Sequence, residues 1–400
     1  MITLDKLKNA QETLKNVIRK TDLIHAQKLM EDSNLYLKVE NLQITGSFKV
    51  RGAAYKIANL SEEEKQKGVI ACSAGNHAQG VALASQRNNI KATIFIPATA
   101  PLSKVESTRK FGAEIRLIDG VYDDAYNAAV EYQKETGATF VHPFDDEDII
   151  AGQGTIGIEI LEQFPEVEAV IVPIGGGGLI AGVANAIKLL KPTCKVYGVQ
   201  AQGAESMYQS FHNNKIMELP VHTFADGTAV KRPGNLTFEL CKKYVDDIVT
   251  VSDDEIAYAI LSLMEQQKLV TEGAGALSVA AAIFDKLPIA NKKTVCILSG
   301  GNIDVNILSR VINRGLLKSG RLSHLTIELL DKPGQLKEVS SLIAEYGANV
   351  IRVRHTQGGE GTDINDCYLK ISMETKNSEH FEQIQKALKE KGYKITSNVQ

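Results

Sequence analysis

Apolar side chains along the chain follow two spacings. From Leu4 they recur at Leu7, Ala10 and Leu14, three or four residues apart, which predicts that an amphipathic helix opens the chain. Further on, short runs rich in β-branched residues alternate with helical stretches. These runs lie at 69–72, 92–96, 115–118, 169–172, 196–199, 248–251 and 295–298. Such an alternation predicts an α/β fold with parallel sheets covered on both faces, and ligands at the carboxyl ends of the strands.

The pattern changes near residue 323. Residues 324–330 alternate apolar and polar side chains, which predicts a strand with one solvated face, and the turn residues Asp331 to Gly334 follow. The spacing beyond them predicts a helix, two strands, a second helix and a final strand. Residues 323–400 are therefore expected to form a separate βαββαβ domain, joined by a short basic connector at 313–321.

Composition narrows the class of protein. The chain has 400 residues, 44% of them hydrophobic and 23% charged, which is ordinary for a globular protein of two or three domains. A net charge of −3 predicts no attraction to nucleic acid or to an acidic membrane surface. No apolar run approaches the length of about 20 residues that spans a bilayer, and the N-terminus has no leader pattern, so we expect a cytoplasmic protein.

Five cysteines are scattered along the chain without a C-x-x-C pair. Cys72 and Cys296 lie in apolar runs and are expected to be small core residues. We therefore predict no disulfide and no zinc site.

Lys49 is the first candidate for chemistry. It lies between Gly46-Ser47-Phe48 and Arg51-Gly52-Ala53, on a predicted loop that enters a helix, where free N–H groups favour anions. Burial or nearby positive charge would lower its pKa toward the neutral amine that reacts with aldehydes. Taken alone, it would be one of many surface lysines.

Four glycines, Gly175 to Gly178, follow the run 169–172 and precede a predicted helix. Backbone N–H groups in such a turn can converge on a phosphate, and the helix dipole adds attraction. The spacing is not that of a nucleotide-binding P-loop, and no acidic residue is placed to bind a ribose. The loop is therefore predicted to hold the phosphate of a different group.

Two further loops follow predicted strands. Ser73-Ala74-Gly75-Asn76-His77 opens a helix and offers N–H groups and a hydroxyl to a carboxylate, while His77 is either catalytic or part of the helix start. Ser299, before Gly300-Gly301-Asn302, could bond a pyridine nitrogen without keeping it protonated, which favours prompt loss of a β leaving group.

Together these motifs resemble those of the threonine dehydratases (threonine ammonia-lyases), which are pyridoxal-phosphate enzymes of the tryptophan-synthase-β fold type (fold type II). The resemblance is carried by residues 45–53, 73–80, 175–179, 225–227, 232–235, 271–276 and 299–302. It implies a catalytic region at 1–320, with a small domain of about 46–145 inserted in a large domain of 1–45 and 146–320. The unit at 323–400 resembles a ferredoxin-like ACT domain, an amino-acid-sensing module.

The resemblance also implies roles. Lys49 would bind the cofactor as a Schiff base and take the α-proton of the amino-acid substrate, Phe48 would pack beside the ring, and Asn76 would bond its 3′ oxygen. Ser299 would meet the pyridine nitrogen. The phosphate would be held by backbone N–H groups of Gly175, Gly176, Gly177, Gly178 and Leu179. The substrate carboxylate would be bound by Ser73, Ala74, Gly75 and His77.

Two positions depart from relatives that racemise serine. Those relatives carry a second serine where this chain has Ala74, so elimination should outrun racemisation here. They also bind a divalent cation through two carboxylates, where this chain has Gln200 and Ser206 beside Glu205. Hard cations prefer carboxylate oxygens, and no metal is predicted at this place.

The resemblance implies deaminating dehydration of L-threonine to 2-oxobutanoate and ammonia, with some activity on L-serine. One alternative is an enzyme whose main substrate is L-serine, because a methyl group contributes little to discrimination. Another is a non-catalytic amino-acid-binding regulator. The ACT-like unit suggests allosteric control by an amino acid, isoleucine or valine if the role is isoleucine biosynthesis, or else a simple dimerisation surface. The family implies a homotetramer.

Overall fold

The computed structural model describes residues 2–30, 34–357 and 366–396. The chain divides into two compact units, Met1–Ile307 and Leu308–Gln400. The helices are α1 Leu4–Leu14, α2 Lys49–Ala58, α3 Glu62–Lys67, α4 Asn76–Arg87, α5 Leu102–Arg109, α6 Tyr122–Thr136, α7 Glu147–Gln163, α8 Gly178–Leu190, α9 Ser206–His212, α10 Asn235–Tyr244, α11 Asp253–Ser262, α12 Gly273–Ile283, α13 Val305–Lys318, α14 Gln335–Glu345 and α15 Ser378–Glu390. The strands are β1 Leu23–His25, β2 Leu35–Lys38, β3 Val69–Cys72, β4 Ala92–Pro97, β5 Glu114–Ile118, β6 Thr139–Phe140, β7 Ala169–Pro173, β8 Lys195–Ala201, β9 Asp247–Val251, β10 Thr294–Ile297, β11 Leu322–Leu330, β12 Asn349–Gln357, β13 Asp366–Glu374 and β14 Lys394–Thr396.

The first unit contains two sheets. A six-stranded sheet has the order β1-β2-β10-β7-β8-β9, and all its pairs are parallel except β1 with β2. A four-stranded parallel sheet has the order β5-β4-β3-β6. Every residue of β3, β7 and β10 is buried, which explains why these strands are continuous apolar runs. The predicted α/β class with parallel sheets is confirmed.

Three helices of the first unit approach one another through glycines. A Cβ added to Gly152 in α7 would lie 2.7 Å from the Cα of Gly52 in α2. A Cβ added to Gly182 in α8 would lie 2.7 Å from the amide nitrogen of Gly154 in α7. Larger side chains would force the backbones apart, so these glycines fix the position of α2, which begins at Lys49.

The second unit has the predicted βαββαβ order. Its four strands form an antiparallel sheet in the order β12-β13-β11-β14, and an apolar core lies between the sheet and helices α14 and α15. Strand β12 lies at the edge and exposes Ile351 and Val353.

Some elements differ from the sequence-based expectation. The strands β1, β2 and β6 were not predicted, and the basic segment expected to be a connector continues helix α13 to Lys318. All five cysteines are buried and none forms a disulfide. Within the described ranges, no helix combines the length and apolar character needed to cross a membrane.

Candidate active site

Lys49 is the first residue of α2, and no side chain caps this helix start. Its Nζ donates a hydrogen bond to the carbonyl oxygen of Pro143 at 2.8 Å and lies 5.4 Å from the centre of the Phe48 ring. Burial lowers the pKa of Lys49 to about 8, although the carboxyl group of Glu272 acts in the opposite direction. A larger fraction of this amine is therefore neutral near neutral pH than for an exposed lysine.

The loop before Lys49 is tied to the loop that contains Ser299. The amide of Phe48 donates to the carbonyl of Ser299 at 3.1 Å, and Ser47 pairs with Gly300 in an isolated antiparallel bridge. Ser299 is buried, and its hydroxyl donates to the carbonyl of Ala274 at 3.2 Å. The sheet end that carries Ser299 thus fixes the lysine loop.

Asn76 joins this loop pair to a carboxyl group. Its Nδ2 donates to Glu272 Oε1 at 2.7 Å, and its Oδ1 accepts from Asn302 Nδ2 at 2.8 Å. Burial raises the pKa of Glu272 to about 7, against the opposing hydrogen bond from Asn76. A Cβ at Gly300 would overlap this carboxyl, so the glycine leaves the space that Glu272 occupies.

No role was predicted for Glu272 from the sequence. It lies in the motif 271–276, yet its contact with Asn76 joins residues 196 positions apart. An acidic residue that immediately precedes the glycine-rich start of a helix was the available signal, because such a carboxyl lies beside a helix N-terminus. Its position near Lys49 makes it a titrating group of this site.

The glycine loop ends β7 and begins α8. Gly177 has a φ of +97°, a backbone conformation that favours glycine, and no side chain caps the helix. A Cβ at Gly176 would overlap the ring of Phe144, and the Gly176 carbonyl accepts from Thr237 Oγ1 at 2.6 Å. The loop is thus fixed from outside, while the N–H groups of the first turn, including that of Leu179, have no acceptor within the helix.

The loop after β3 is half-buried from Ser73 to Asn76. Ser73 Oγ accepts from the amide of Gly75 at 3.2 Å, and the space around Gly75 Cα is open, since an added Cβ would meet nothing within 4 Å. No side chain caps α4, so its start can accept a carboxylate. Ala74 presents a methyl group and has no proton to donate.

His77 lies beside this loop but is buried. Its Nε2 lies 2.8 Å from the carbonyl of Val141 and donates to it. Burial, followed by the charge of Lys49, lowers the pKa of His77 to about 3, so the ring is neutral. The hydrogen bond directs one ring nitrogen to the backbone, as expected for a residue that supports the helix start.

The positions where relatives that racemise serine bind a cation form hydrogen bonds within the protein here. Gln200 is buried in β8, and its Oε1 accepts from the amide of Tyr208 at 2.7 Å. Ser206 Oγ donates to the carbonyl of Val230 at 2.8 Å, and Glu205 Oε1 accepts from Gln209 at 2.9 Å.

A buried charge network is centred on Arg51, two residues after Lys49 in α2. Arg51 donates to Glu40 at 2.7 and 2.8 Å and to Glu159 at 2.6 and 3.0 Å. Lys38 donates to Glu159 at 2.6 Å, and the side chains of Arg51 and Lys38 are fully buried. Burial alone would lower the pKa of Arg51, but the two carboxylates hold it above its usual value. This network anchors the first turn of α2.

Contacts connect the loops that carry the predicted site residues into one candidate site. Contacts run from Lys49 through Pro143 and Phe144 to the glycine loop. From the glycine loop they continue to Thr228, because a Cβ added to Gly175 would lie 3.1 Å from the Cα of Thr228. Gly227, Glu272 and Asn76 then lead back to the Ser299 loop. The buried amine of Lys49, a turn suited to phosphate and a helix start suited to carboxylate are thus brought together.

Comparison with known proteins identifies the group that such a site holds. The model of the family described as "Pyridoxal-phosphate dependent enzyme" matches residues 14–300. The L-threonine ammonia-lyase of Thermotoga maritima is 52% identical over 398 residues, which cover 99% of each chain. Among solved structures, processed threonine deaminase isoform 2 from Solanum lycopersicum is 40% identical, with a TM-score of 0.73 over 78% of this chain and 94% of that one. Maize serine racemase is 36% identical, with a TM-score of 0.73 over 78% of this chain and 98% of its own.

Proposed function

Because the chain belongs to the family of pyridoxal-phosphate-dependent enzymes, we propose that it converts L-threonine to 2-oxobutanoate and ammonia. It is a carbon–nitrogen lyase that uses pyridoxal phosphate and also accepts some L-serine. The observation that carries the proposal is the buried amine of Lys49, with its pKa of about 8, in a chain 52% identical over its length to an L-threonine ammonia-lyase.

The residues of the candidate site fit pyridoxal phosphate. The fixed, uncapped glycine loop offers N–H groups to a phosphate, Lys49 offers an amine to an aldehyde, and Phe48 lies beside that amine. Ser299 offers a neutral hydroxyl to the pyridine nitrogen, and Asn76 has a second amide proton for the 3′ oxygen. When bound, the cofactor withdraws electrons from the substrate α-carbon and makes its proton acidic.

Lys49 moves the α-proton. In its neutral form the Nζ has a free electron pair that accepts the proton, and the lowered pKa increases the fraction in that form at neutral pH. The Pro143 carbonyl orients the amine by accepting a hydrogen bond from it. Arg51 and its carboxylate partners contribute indirectly, because they keep the first turn of α2, which carries Lys49, in place.

The start of α4 positions the substrate. Ser73, Ala74 and Gly75 bind its carboxylate with the N–H groups of the helix start, and His77 supports that turn as a neutral ring. A methyl group at Ala74 cannot return a proton to the opposite face of the α-carbon, so elimination outruns racemisation.

The test is a coupled assay for 2-oxo acid release from L-threonine and L-serine, with pyridoxal phosphate present. Lys49→Ala should abolish release, because it removes the buried amine that is proposed to bind the aldehyde and to take the α-proton. Lys8→Ala, which removes an exposed lysine from α1, is the matched control and should keep wild-type turnover. Sustained threonine turnover by Lys49→Ala would refute the mechanism, and turnover of serine alone would change the substrate.

We also propose that the second unit is a ferredoxin-like ACT domain at 323–400 and that 1–320 is catalytic, with a small domain of about 46–145 inserted in a large domain of 1–45 and 146–320. The βαββαβ order and the exposed apolar edge of β12 support a sensor that pairs with a second copy, in a homotetramer. The effector is isoleucine or valine, in a biosynthetic role. Five buried cysteines without a disulfide fit a cytoplasmic location.

Truncation before Ser323 tests this assignment. The shortened chain should retain threonine turnover and lose inhibition by isoleucine or valine. Inhibition that persists unchanged in a folded, active truncation would place the effector site elsewhere.

A further inference from the structure

Three potential metal ligands meet in the second unit. They are the carboxylate of Asp331, the ring of His355 and the thiol of Cys367, and their ligand atoms all lie within 4.8 Å of one another. His355 Nε2 and Asp331 Oδ1 are 3.8 Å apart. Cys367 is 1% exposed, whereas the side chains of the other two are 45% and 46% exposed.

The strand register brings these residues together. In the β12–β13 ladder, His355 lies opposite Leu369 and Gln357 lies opposite Cys367, so His355 and Cys367 share one face at one end of the sheet. In the β11–β13 ladder, Leu329 lies opposite Cys367, and Asp331 follows two residues later. The cluster is therefore held by hydrogen-bonded strands as well as by a turn.

The spacing suits a tetrahedral ion. With zinc–ligand bonds of about 2.0–2.3 Å, neighbouring ligand atoms in a tetrahedron lie about 3.3–3.7 Å apart. The observed separations of 3.8 Å and at most 4.8 Å need shifts of about 1 Å or less in each side chain. Two of the three side chains are partly exposed and are able to make such a shift by rotation.

The donors select the type of ion. Thiolate and imidazole favour zinc and similar transition metals, whereas magnesium and calcium prefer oxygen ligands alone. The spacing of the cysteines in the sequence predicted no zinc site, but the folded chain brings these three residues together. We propose that Asp331, His355 and Cys367 bind one divalent transition-metal ion of the zinc type per chain, with water or a small solute in the fourth position. Binding forms the metal–sulfur bond with loss of the Cys367 proton to solvent.

Such an ion would link the turn after β11 to strands β12 and β13. The competing interpretation is a surface pair between His355 and Asp331 beside a core cysteine, with no metal. The proposal does not depend on the reaction proposed above, because all three residues lie in Leu308–Gln400.

The experiment uses the full-length, tag-free protein loaded with pyridoxal phosphate and stripped of metal by a chelator. Co²⁺ is added as a spectroscopic probe and Zn²⁺ by calorimetric titration. The expected result is one ion per chain, with cobalt bands typical of tetrahedral thiolate coordination. His355→Gln, at an exposed position, should weaken Zn²⁺ binding at least about tenfold, since even partners of metal ligands contribute that much.

Matched variants keep the test decisive. Cys367→Ser should remove the thiolate band, and Asp331→Asn should also weaken binding. His324→Gln, which changes an exposed histidine of the same sheet that bonds Ser372, should leave binding unchanged. Octahedral cobalt bands, binding that is equally tight in His355→Gln, or no binding by the wild type would each overturn the proposal.

Discussion

Lys49→Met should make the cofactor-free protein more stable at pH 7, although it removes the amine that we propose to be catalytic. The folded structure lowers the pKa of Lys49 from 10.5 to about 8 by burial. A shift of about 2.5 units means that the charged lysine destabilises the fold by about 3 kcal/mol at pH 7. Methionine carries no charge, but it leaves the Pro143 carbonyl without its donor, which costs about 1 kcal/mol.

The net gain of about 2 kcal/mol corresponds to a measurable change in melting temperature. At about 2.1 cal/mol/K per residue, the entropy of unfolding of Met1–Ile307 is about 0.6 kcal/mol/K. The melting temperature should therefore rise by about 3 °C, as measured by calorimetry on the apoprotein. Tryptophan fluorescence is not an option, because the chain contains no tryptophan.

The pH dependence tests the cause. Between pH 8 and 10.5 the unfolded wild type binds more protons at Lys49 than the folded form does, so wild-type stability rises with pH in this window. The advantage of Lys49→Met should shrink over the same window, and its sign should reverse at about pH 10, where the charge penalty falls below the cost of the lost hydrogen bond. Titrating groups that do not interact with Lys49 cancel in the comparison of the two proteins, whereas Glu272, His77 and His142 respond to its charge.

Lys38→Met is the matched control. Lys38 is also fully buried, but it forms an ion pair with Glu159 at 2.6 Å. Removal of one partner from a buried pair typically costs about 3–5 kcal/mol, so this variant should melt at a lower temperature. A Lys49→Met protein that melts below the wild type at pH 7, or an offset that is constant with pH, would refute the reasoning.

Two further predictions concern the candidate site. Glu272→Gln should remove an ionisation near pH 7 from the pH profile of kcat, and it should lower the pKa of Lys49, because Glu272 raises that pKa. An unchanged profile would show that the carboxyl does not titrate during turnover. Gly176→Ala should weaken pyridoxal-phosphate binding, measured by equilibrium dialysis, since the new methyl group overlaps the Phe144 ring. A second change, Phe144→Ala, should restore part of the binding. If the double variant binds no better than Gly176→Ala, the clash is not the cause.

Much of the fold was predictable because the burial of its strands is continuous. All five residues of β7 are buried, so the strand stands out as an apolar run. Strands β1 and β6 have three and two residues, too few for a period to be visible. In β2 the fully buried Lys38 interrupts the apolar pattern. It is tolerated there because its charge is paired with that of Glu159, which is 121 residues away in the sequence.

The site divides in the same way. Lys49 and the glycine loop could be proposed from the sequence because each motif is local and consists of a few adjacent residues. The contact between Asn76 and Glu272, and the meeting of Asp331, His355 and Cys367, depend on strands and loops far apart in the chain. No spacing rule in one sequence reports such a meeting.

The network around Arg51 constrains how this sequence can change over evolutionary time. Arg51 shares its charge between Glu40 and Glu159, and Glu159 also binds Lys38. A substitution at any one of these four positions leaves a charge buried without its full set of partners. We therefore expect the four positions to be replaced together or not at all, so that each viable combination is separated from the next by variants that fold poorly.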